Sequence, residues 1–577
     1  MFYGFIALLI LFYCNVLLRT YLTQSRLFAK VIQEIGLFQQ PAFAPFHLIS
    51  LNYGVIKWGF GVARRERLCF IDNSRVFWKT QEERKRIVMA DKTLNLMLPG
   101  NPRYQPKELI PFFGYDNLMR GLAEVEIANL KALGKIGVIG KGDIDLLTPE
   151  LISRLMAITT TQVDEVERQI TKHDVRAWVR LAQEILPPEL ARWTHVPLTS
   201  YDPLDTGRIL VYYRAYLTVL KPAIFEVMGL LMKLVEEQAQ TVQIGRTHGQ
   251  HALPITVGFW LATILSRIVY NAYELEHSAE KLVGKISGAV GAYNAQVGLG
   301  LTTRSEEENA LTYEETVLEL LGLKAAPIST QILPPEPLEH FLHACFMMSA
   351  AFGQLGDDCR HLMRSELNEV AEAFEPGQVG SSTMAQKRNP INFENLKAMW
   401  KKNVGEYVKV LLTLHSEHQR DLTDSAVMRD FPTILVNLMT QLNTLRRKNQ
   451  SGAPFLARLS FNNEALKRNL GMNAHVILAE PIYIALQMAG YPDDAHELVN
   501  RKLVPRAQKE NLPLAEILRH YAQTESDPYI GEAYGRIPAE VKEMLACPEK
   551  YTGDAAKKAL EVVSLAQESV CELSGEA

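Results

Sequence analysis

Apolar residues in this chain recur with helical spacing over long stretches and almost never alternate as they do in strands. The run DTGRILVYYRAYLTVLKPAIFEVMGLLMKLVEEQ, which starts at Asp205, is apolar on nearly every face. A surface helix keeps one polar side, so a helix of this kind belongs inside a bundle. The run TVGFWLATILSRIVYNAYELEHSAEKL, from Thr256, is another long-helix candidate. A third, PLEHFLHACFMMSAAFGQLGDDCRHLMRSELNEVAEAFEP, passes from Pro337 to Pro376 with no internal proline and predicts a very long helix. The pattern predicts a mainly α protein with a central long-helix bundle. Its divisions are expected at a helical segment over 96–204, the bundle over 205–448 and a smaller helical domain over 449–577. Residues 1–95 form an N-terminal extension with no chemistry of their own. No internal repeat or low-complexity linker interrupts the chain.

Within that extension, residues 2–18 (FYGFIALLILFYCNVLL) are uncharged and mostly apolar, barely long enough to span a bilayer. They lack the positive start and small-residue cleavage site of a secretory signal. Arg19, Arg26 and Lys30 follow, and an inserted helix would leave the rest of the chain cytoplasmic. A membrane contact and a buried or peripheral helix both fit this stretch.

Composition narrows the remaining classes. Of the 577 residues, 47% are hydrophobic and 22% charged, which describes a globular chain. The net charge of −4 offers no field for nucleic acid, so a bound anion must be held by a few local cations. Six cysteines lie far apart with no C-x-x-C pair, which suits a reducing compartment such as the cytoplasm. GKIGVIGKGD near Lys135 misses the phosphate-loop spacing. No dinucleotide fingerprint and no G-x-S-x-G elbow is present. His248 and His251 are spaced like helical metal ligands, but no carboxylate or cysteine stands near them, so neither a metal nor an organic cofactor is expected.

Five polar islands stand out instead. TKHDVRAW holds His173 and Asp174; WTHVPLTSYD holds His195, Thr199 and Ser200; IGRTHGQHALPIT holds Arg246, Thr247, His248 and Gln250; EHQRDLTDSAVMRD holds Arg420, Ser425 and Arg429. The fifth, VGSSTMAQKRNPINFEN, crowds small donors and cations into a leucine-rich neighbourhood. Singly, most of these read as caps, turns or surface contacts. In the fifth, Gly377 and Gly380 permit unusual backbone angles, and the N–H groups of Ser381, Ser382 and Thr383 could form an anion nest. Lys387 and Asn389 could complete a carboxylate cradle, most useful where that carboxylate gains charge during reaction. Loss of a proton from the adjacent carbon does this, and a serine of the nest could be the base. Two arginines and a serine in one segment are chemically right for a phosphate.

The segment GSSTMAQKRNP resembles the signature loop of the fumarase/aspartase superfamily, whose members eliminate fumarate from a succinyl group. KHDV, LTSYD, GRTHGQHALPIT, GKISGAVGAYNA, STQI and QRDLTDSAVMR follow in the order and spacing of the adenylosuccinate lyases, and NPRY resembles their N-terminal nucleotide contact. The resemblance runs from about Pro102 to the C-terminus. It implies the superfamily's three-domain fold, a homotetramer whose active sites draw on three chains, and cleavage of adenylosuccinate to AMP and fumarate. A succinylated aminoimidazole carboxamide ribotide is the second substrate it implies. By the same resemblance, Ser381 removes the succinyl Cβ proton and His248 protonates the departing nitrogen. Lys387 and Asn389 hold the carboxylate, and Thr247, Ser382 and Gln331 the fumarate portion. Arg103, Tyr104, His173, His195, Thr199, Ser200, Arg420, Ser425 and Arg429 hold the nucleotide. Lys172, Asp174, Arg388 and Asn395, from the same motifs, complete the substrate-binding set.

Two departures stand against the pattern. Ala385-Gln386 replaces the usual proline and aromatic or histidine before Lys387, which predicts a more mobile loop. Pro197 stands where a small residue is usual, which could shift Thr199 and Ser200. The runner-up readings are a sister lyase acting on argininosuccinate or a carboxymuconate, and a non-catalytic membrane-tethered relative.

Overall fold

The computed structural model describes residues 94–301, 311–374, 381–524 and 527–575. The apolar segment 2–18, the rest of the N-terminal extension up to residue 93, and Gly377 and Gly380 lie outside them. The described residues belong to one compact unit, Gln81–Ala577.

The frame is helical, as the pattern predicts. Helix α1 (Arg120–Lys135) crosses α2 (Tyr201–Glu237) with almost no side chain between them. A Cβ on Gly121 would lie 2.4 Å from the Gly207 carbonyl oxygen, so only glycine permits the approach. Helix α2 has the length and apolarity to cross a membrane, yet Leu210, Val227, Met228, Leu231 and Val235 are buried in the protein core. Its ladder widens to a π turn at Tyr216–Leu220, just before Pro222, whose ring and missing N–H do not fit a regular α turn. Helix α3 (Val257–Glu280) starts where the Thr256 hydroxyl accepts the Phe259 N–H at 3.1 Å.

Helix α4 (Glu336–Leu362) opens with Glu336 and Glu339 and closes with Arg360 and His361, each charge complementing the helix dipole. It packs along α5 (Ile391–Leu412), α3 and α6 (Pro432–Arg446). The sequence pattern carried this helix on to Pro376, but it ends at Leu362. Asn368 takes a positive φ of 52°, and Val370–Ala371 pairs with Ser460–Phe461 instead. Pairing with a segment far along the chain overrides the local helical composition.

The alternation scan also passed over a hairpin. Strands β1 (Val242–Thr247) and β2 (Gln250–Thr256) pair antiparallel just before α3. His248 (φ 53°) and Gly249 (φ 76°) form its two-residue turn, the positive pair that a tight hairpin requires.

The apolar interior falls into two clusters. The first runs from Leu98 to Leu466 and recovers Ala559, Val563 and Ala566 from the last helix, α7 (Ala555–Ser574), which lies along α3. The second gathers Leu478 to Leu545.

Candidate active site

Asp202 organises one side of the site. It follows Tyr201 in the first turn of α2 and is 1% exposed. Its Oδ2 accepts the Thr199 N–H at 2.8 Å, and its Oδ1 accepts Lys285 Nζ at 2.5 Å and the N–H groups of Ser287 and Gly288 at 3.1 and 3.2 Å. One buried carboxylate therefore ties the LTSYD island to the GKISGAVG segment. Lys285 is fully buried, with Asp202 as its counter-charge. Nearby, Asp205 accepts Arg208 Nη1 and the Leu333 N–H, both at 3.0 Å. Burial pushes its carboxyl pKa upward, opposed by the Arg208 guanidinium.

These contacts frame a cavity of about 670 Å3. His173, Asp174, Thr199, Ser200, Gln331, Arg420, Ser425 and Arg429 all line it, and they come from three of the polar islands and from STQI. Arg420 lies 3.4 Å from the Tyr201 ring centroid and donates to Gln331 Oε1 at 2.7 Å. It forms no ion pair among the described residues, and its guanidinium is stacked and aimed without a carboxylate. The Tyr201 hydroxyl meets Ser425 Oγ at 3.2 Å, and Ser200 Oγ meets His173 Nε2 at 3.4 Å. His173 Nδ1 lies 3.2 Å from Asp174, which also faces Arg429 at 3.8 Å. The apolar residues Phe112, Phe113, Leu118, Met119 and Val211 also line the cavity. Tyr115, another lining residue, donates to Asp164 at 2.6 Å; this bond and burial push its phenol up to about 12.

The remaining predicted residues lie elsewhere. Thr247 and His248 are exposed at the hairpin turn. His248 and His251 are not two steps along a helix, since His251 sits in β2 opposite Arg246. Burial, then the nearby Arg246 charge, lowers the His251 pKa from 6.5. Among the described residues no three His, Cys, Asp or Glu side chains gather at one point.

In the signature segment, Ser382, Lys387 and Arg388 are exposed, and Ser381 and Asn389 half-buried. Ser381 Oγ accepts the N–H groups of Thr383 and Met384 at 3.4 and 3.2 Å. The Thr383 N–H expected in an anion nest is thus turned onto the Ser381 oxygen, where donors favour an alkoxide. Arg388 lies over the Phe374 ring at 5.2 Å, and Asn395 donates to Thr444 at 3.1 Å.

Four further residues stand outside the cavity lining. His195 is nearly buried, its Nδ1 2.6 Å from Glu126. Lys172 turns its ammonium onto the Arg168 carbonyl, Arg103 is exposed, and Tyr104 packs under Lys402 at 5.1 Å. The reading of the sequence missed Tyr201 and Asp202, although both directly follow Ser200, and missed Lys285, a lone cation in an otherwise uncharged run.

Known proteins share this chain's family and fold. A family described as lyase matches residues 153–405, and one described as adenylosuccinate lyase C-terminal matches 416–524. Adenylosuccinate lyase of Pyrococcus horikoshii is 32% identical over 473 residues, covering 82% of this chain and 98% of that protein. The Bacillus subtilis adenylosuccinate lyase is 30% identical over 418 residues, 72% of this chain and 90% of that one. Among solved structures, the 3-carboxy-cis,cis-muconate lactonizing enzyme of Pseudomonas putida superposes with a TM-score of 0.66 at 23% identity, covering 81% of this chain and 98% of that one. A fumarate lyase from Mesorhizobium gives 0.64 at 20% identity, over 81% of this chain and 100% of that one. These likenesses establish the shared fold.

Proposed function

The chain belongs to the adenylosuccinate lyase family of the fumarase/aspartase superfamily, and on that premise we propose that it cleaves adenylosuccinate to AMP and fumarate. The observation that carries the reading is the cavity itself. Eight residues from three distant islands and the STQI motif meet there, with two guanidinium groups and three hydroxyls suited to a nucleotide phosphate and ribose.

The chemistry is a β-elimination. The Ser381 oxygen, carrying two N–H donors, takes the proton from the succinyl Cβ. The electron pair left behind is held on the neighbouring carboxylate by Lys387 and Asn389, then forms the double bond of fumarate as the C–N bond breaks. His248 gives a proton to the departing nitrogen, leaving AMP. Thr247, Ser382 and Gln331 hold the fumarate portion. The same steps apply to the succinylated aminoimidazole carboxamide ribotide, whose departing nitrogen has the same position.

In this reading the sites are shared within a homotetramer. Thr247, His248 and the signature segment do not line the cavity of their own chain, and they stand on exposed turns where other chains can supply the rest. Helix α5 also leaves Val404, Val408, Leu411 and Leu412 exposed at 40, 49, 46 and 72%, an apolar stripe that further copies of the chain would cover. The scattered cysteines, with Cys345 and Cys359 free and buried, fit a cytoplasmic setting.

The test is purified protein with adenylosuccinate, following loss of substrate absorbance and release of fumarate, with and without chelator. Turnover unaffected by chelator supports the reading. Turnover of argininosuccinate in its place would move the assignment to the sister lyase.

A further inference from the structure

The hairpin that carries His248 and the signature segment that carries Ser381 share an anchorage in the tetrapeptide Glu369-Val370-Ala371-Glu372. Both carboxylates are buried, at 0% and 3% exposure. Glu369 faces the hairpin. Its Oε1 accepts Arg246 Nη2 at 2.6 Å and Asn469 Nδ2 at 2.7 Å, and its Oε2 accepts Arg246 Nη1 at 3.1 Å and Gln243 Nε2 at 2.8 Å. Four donors thus fill one carboxylate, three of them from β1. Glu372 faces the other way and accepts the N–H groups of Asn392 and Phe393 at 2.9 and 3.1 Å, and Asn392 Nδ2 at 2.7 Å, where the signature segment enters α5.

We propose that Glu369 is a positioning residue for the elimination, clamping the Arg246 fork and so fixing the hairpin turn that presents His248, while Glu372 fixes the far end of the signature segment. Arg246 lies two residues before His248 and pairs across the hairpin with His251, so the clamped rung is next but one to the turn. A planar guanidinium held at both ends allows little rotation, and an acid displaced by about 1 Å can cost on the order of 10²-fold in rate. Stability alone is a poor reason for such a pair, because apolar replacements of buried ion pairs are often neutral. The inference rests on His248 acting as the acid in the proposed reaction.

The test is a double-mutant cycle in the full-length protein with Glu369→Gln, His248→Ala and their combination. It is read by kcat and KM for adenylosuccinate, thermal melting, and amide hydrogen exchange over 242–256. Glu369→Gln is expected to lower kcat between about tenfold and a hundredfold with little change in KM, and to speed hairpin exchange. In the His248→Ala background it should cost almost nothing further. Equal losses in both backgrounds, or an unchanged kcat, would overturn the proposal. If Glu369→Gln does not fold, Arg246→Lys keeps the charge without the fork and must give the same pattern. A wild-type protein inactive on adenylosuccinate would instead defeat the functional reading. The clamp would then stand or fall on whether Glu369→Gln speeds hairpin exchange.

Discussion

The cavity at the start of α2 and the hairpin–signature pair solve opposite problems. In the cavity, buried carboxylates fix the walls in advance: Asp202 holds Thr199, Lys285 and two backbone amides, and Asp205 holds Arg208 and Leu333. Arg420, Ser425 and His173 already line one cavity. The hairpin turn and signature segment are held at their roots by Glu369 and Glu372, while Thr247, His248, Ser382 and Lys387 are exposed and Ser381 is half-buried. On the proposed mechanism, the contrast separates nucleotide-binding groups gathered within one chain from an acid and a base that must be brought to them. It predicts that variants of the two regions fail in different ways.

The largest effects belong to the proposed base and acid. Ser381→Ala and His248→Ala should each lower kcat by ~10²–10⁴-fold while substrate still binds, as steady-state kinetics and equilibrium binding will read. If Ser382→Ala abolishes the chemical step and Ser381→Ala does not, the base is the other serine. Next comes the scaffold. Lys285→Met strips Asp202 of its ammonium but leaves three N–H donors, so the loss should be about 3 kcal/mol, the low end for a broken buried pair, seen in denaturant melts. Arg420→Ala should keep kcat and raise KM about tenfold to a hundredfold, the worth of a charge-assisted bond to a group unchanged in the reaction. The smallest effect is on pH. The His251 pKa is lowered by burial and then by Arg246, so folding favours the neutral ring. Its contribution is present above 6.5 and is lost as the pH falls through the lowered value, and His251→Gln should flatten the melting temperature over that range.

The same division marks what could be seen in the sequence. The long helices were legible because a helix inside a bundle carries apolar residues over most of its surface, as the first half of α2 shows. The strand at Val370–Ala371 was not, because its partner lies at Ser460–Phe461 and its own neighbours are helix formers. The hairpin hid for a related reason. Its turn is His248-Gly249 rather than a familiar Asn-Gly, and Gly245 and Arg246 interrupt the alternation of β1. The grouping of His173, Ser200, Arg420 and Arg429 could be anticipated from motif order. The Asp202–Lys285 pair could not, since nothing local announces which buried cation a carboxylate will meet.

A mixing experiment tests the central claim most directly. Ser381→Ala disables the base, and the double variant Arg420→Ala/Arg429→Ala disables the cavity at low substrate. The two proteins are unfolded together, refolded as mixed assemblies, and assayed with adenylosuccinate well below the raised KM. The account predicts activity well above the sum of the two parents, because an intact cavity from one chain can meet an intact signature segment from another. Activity no greater than that sum would place cavity and base in the same chain and contradict the shared site.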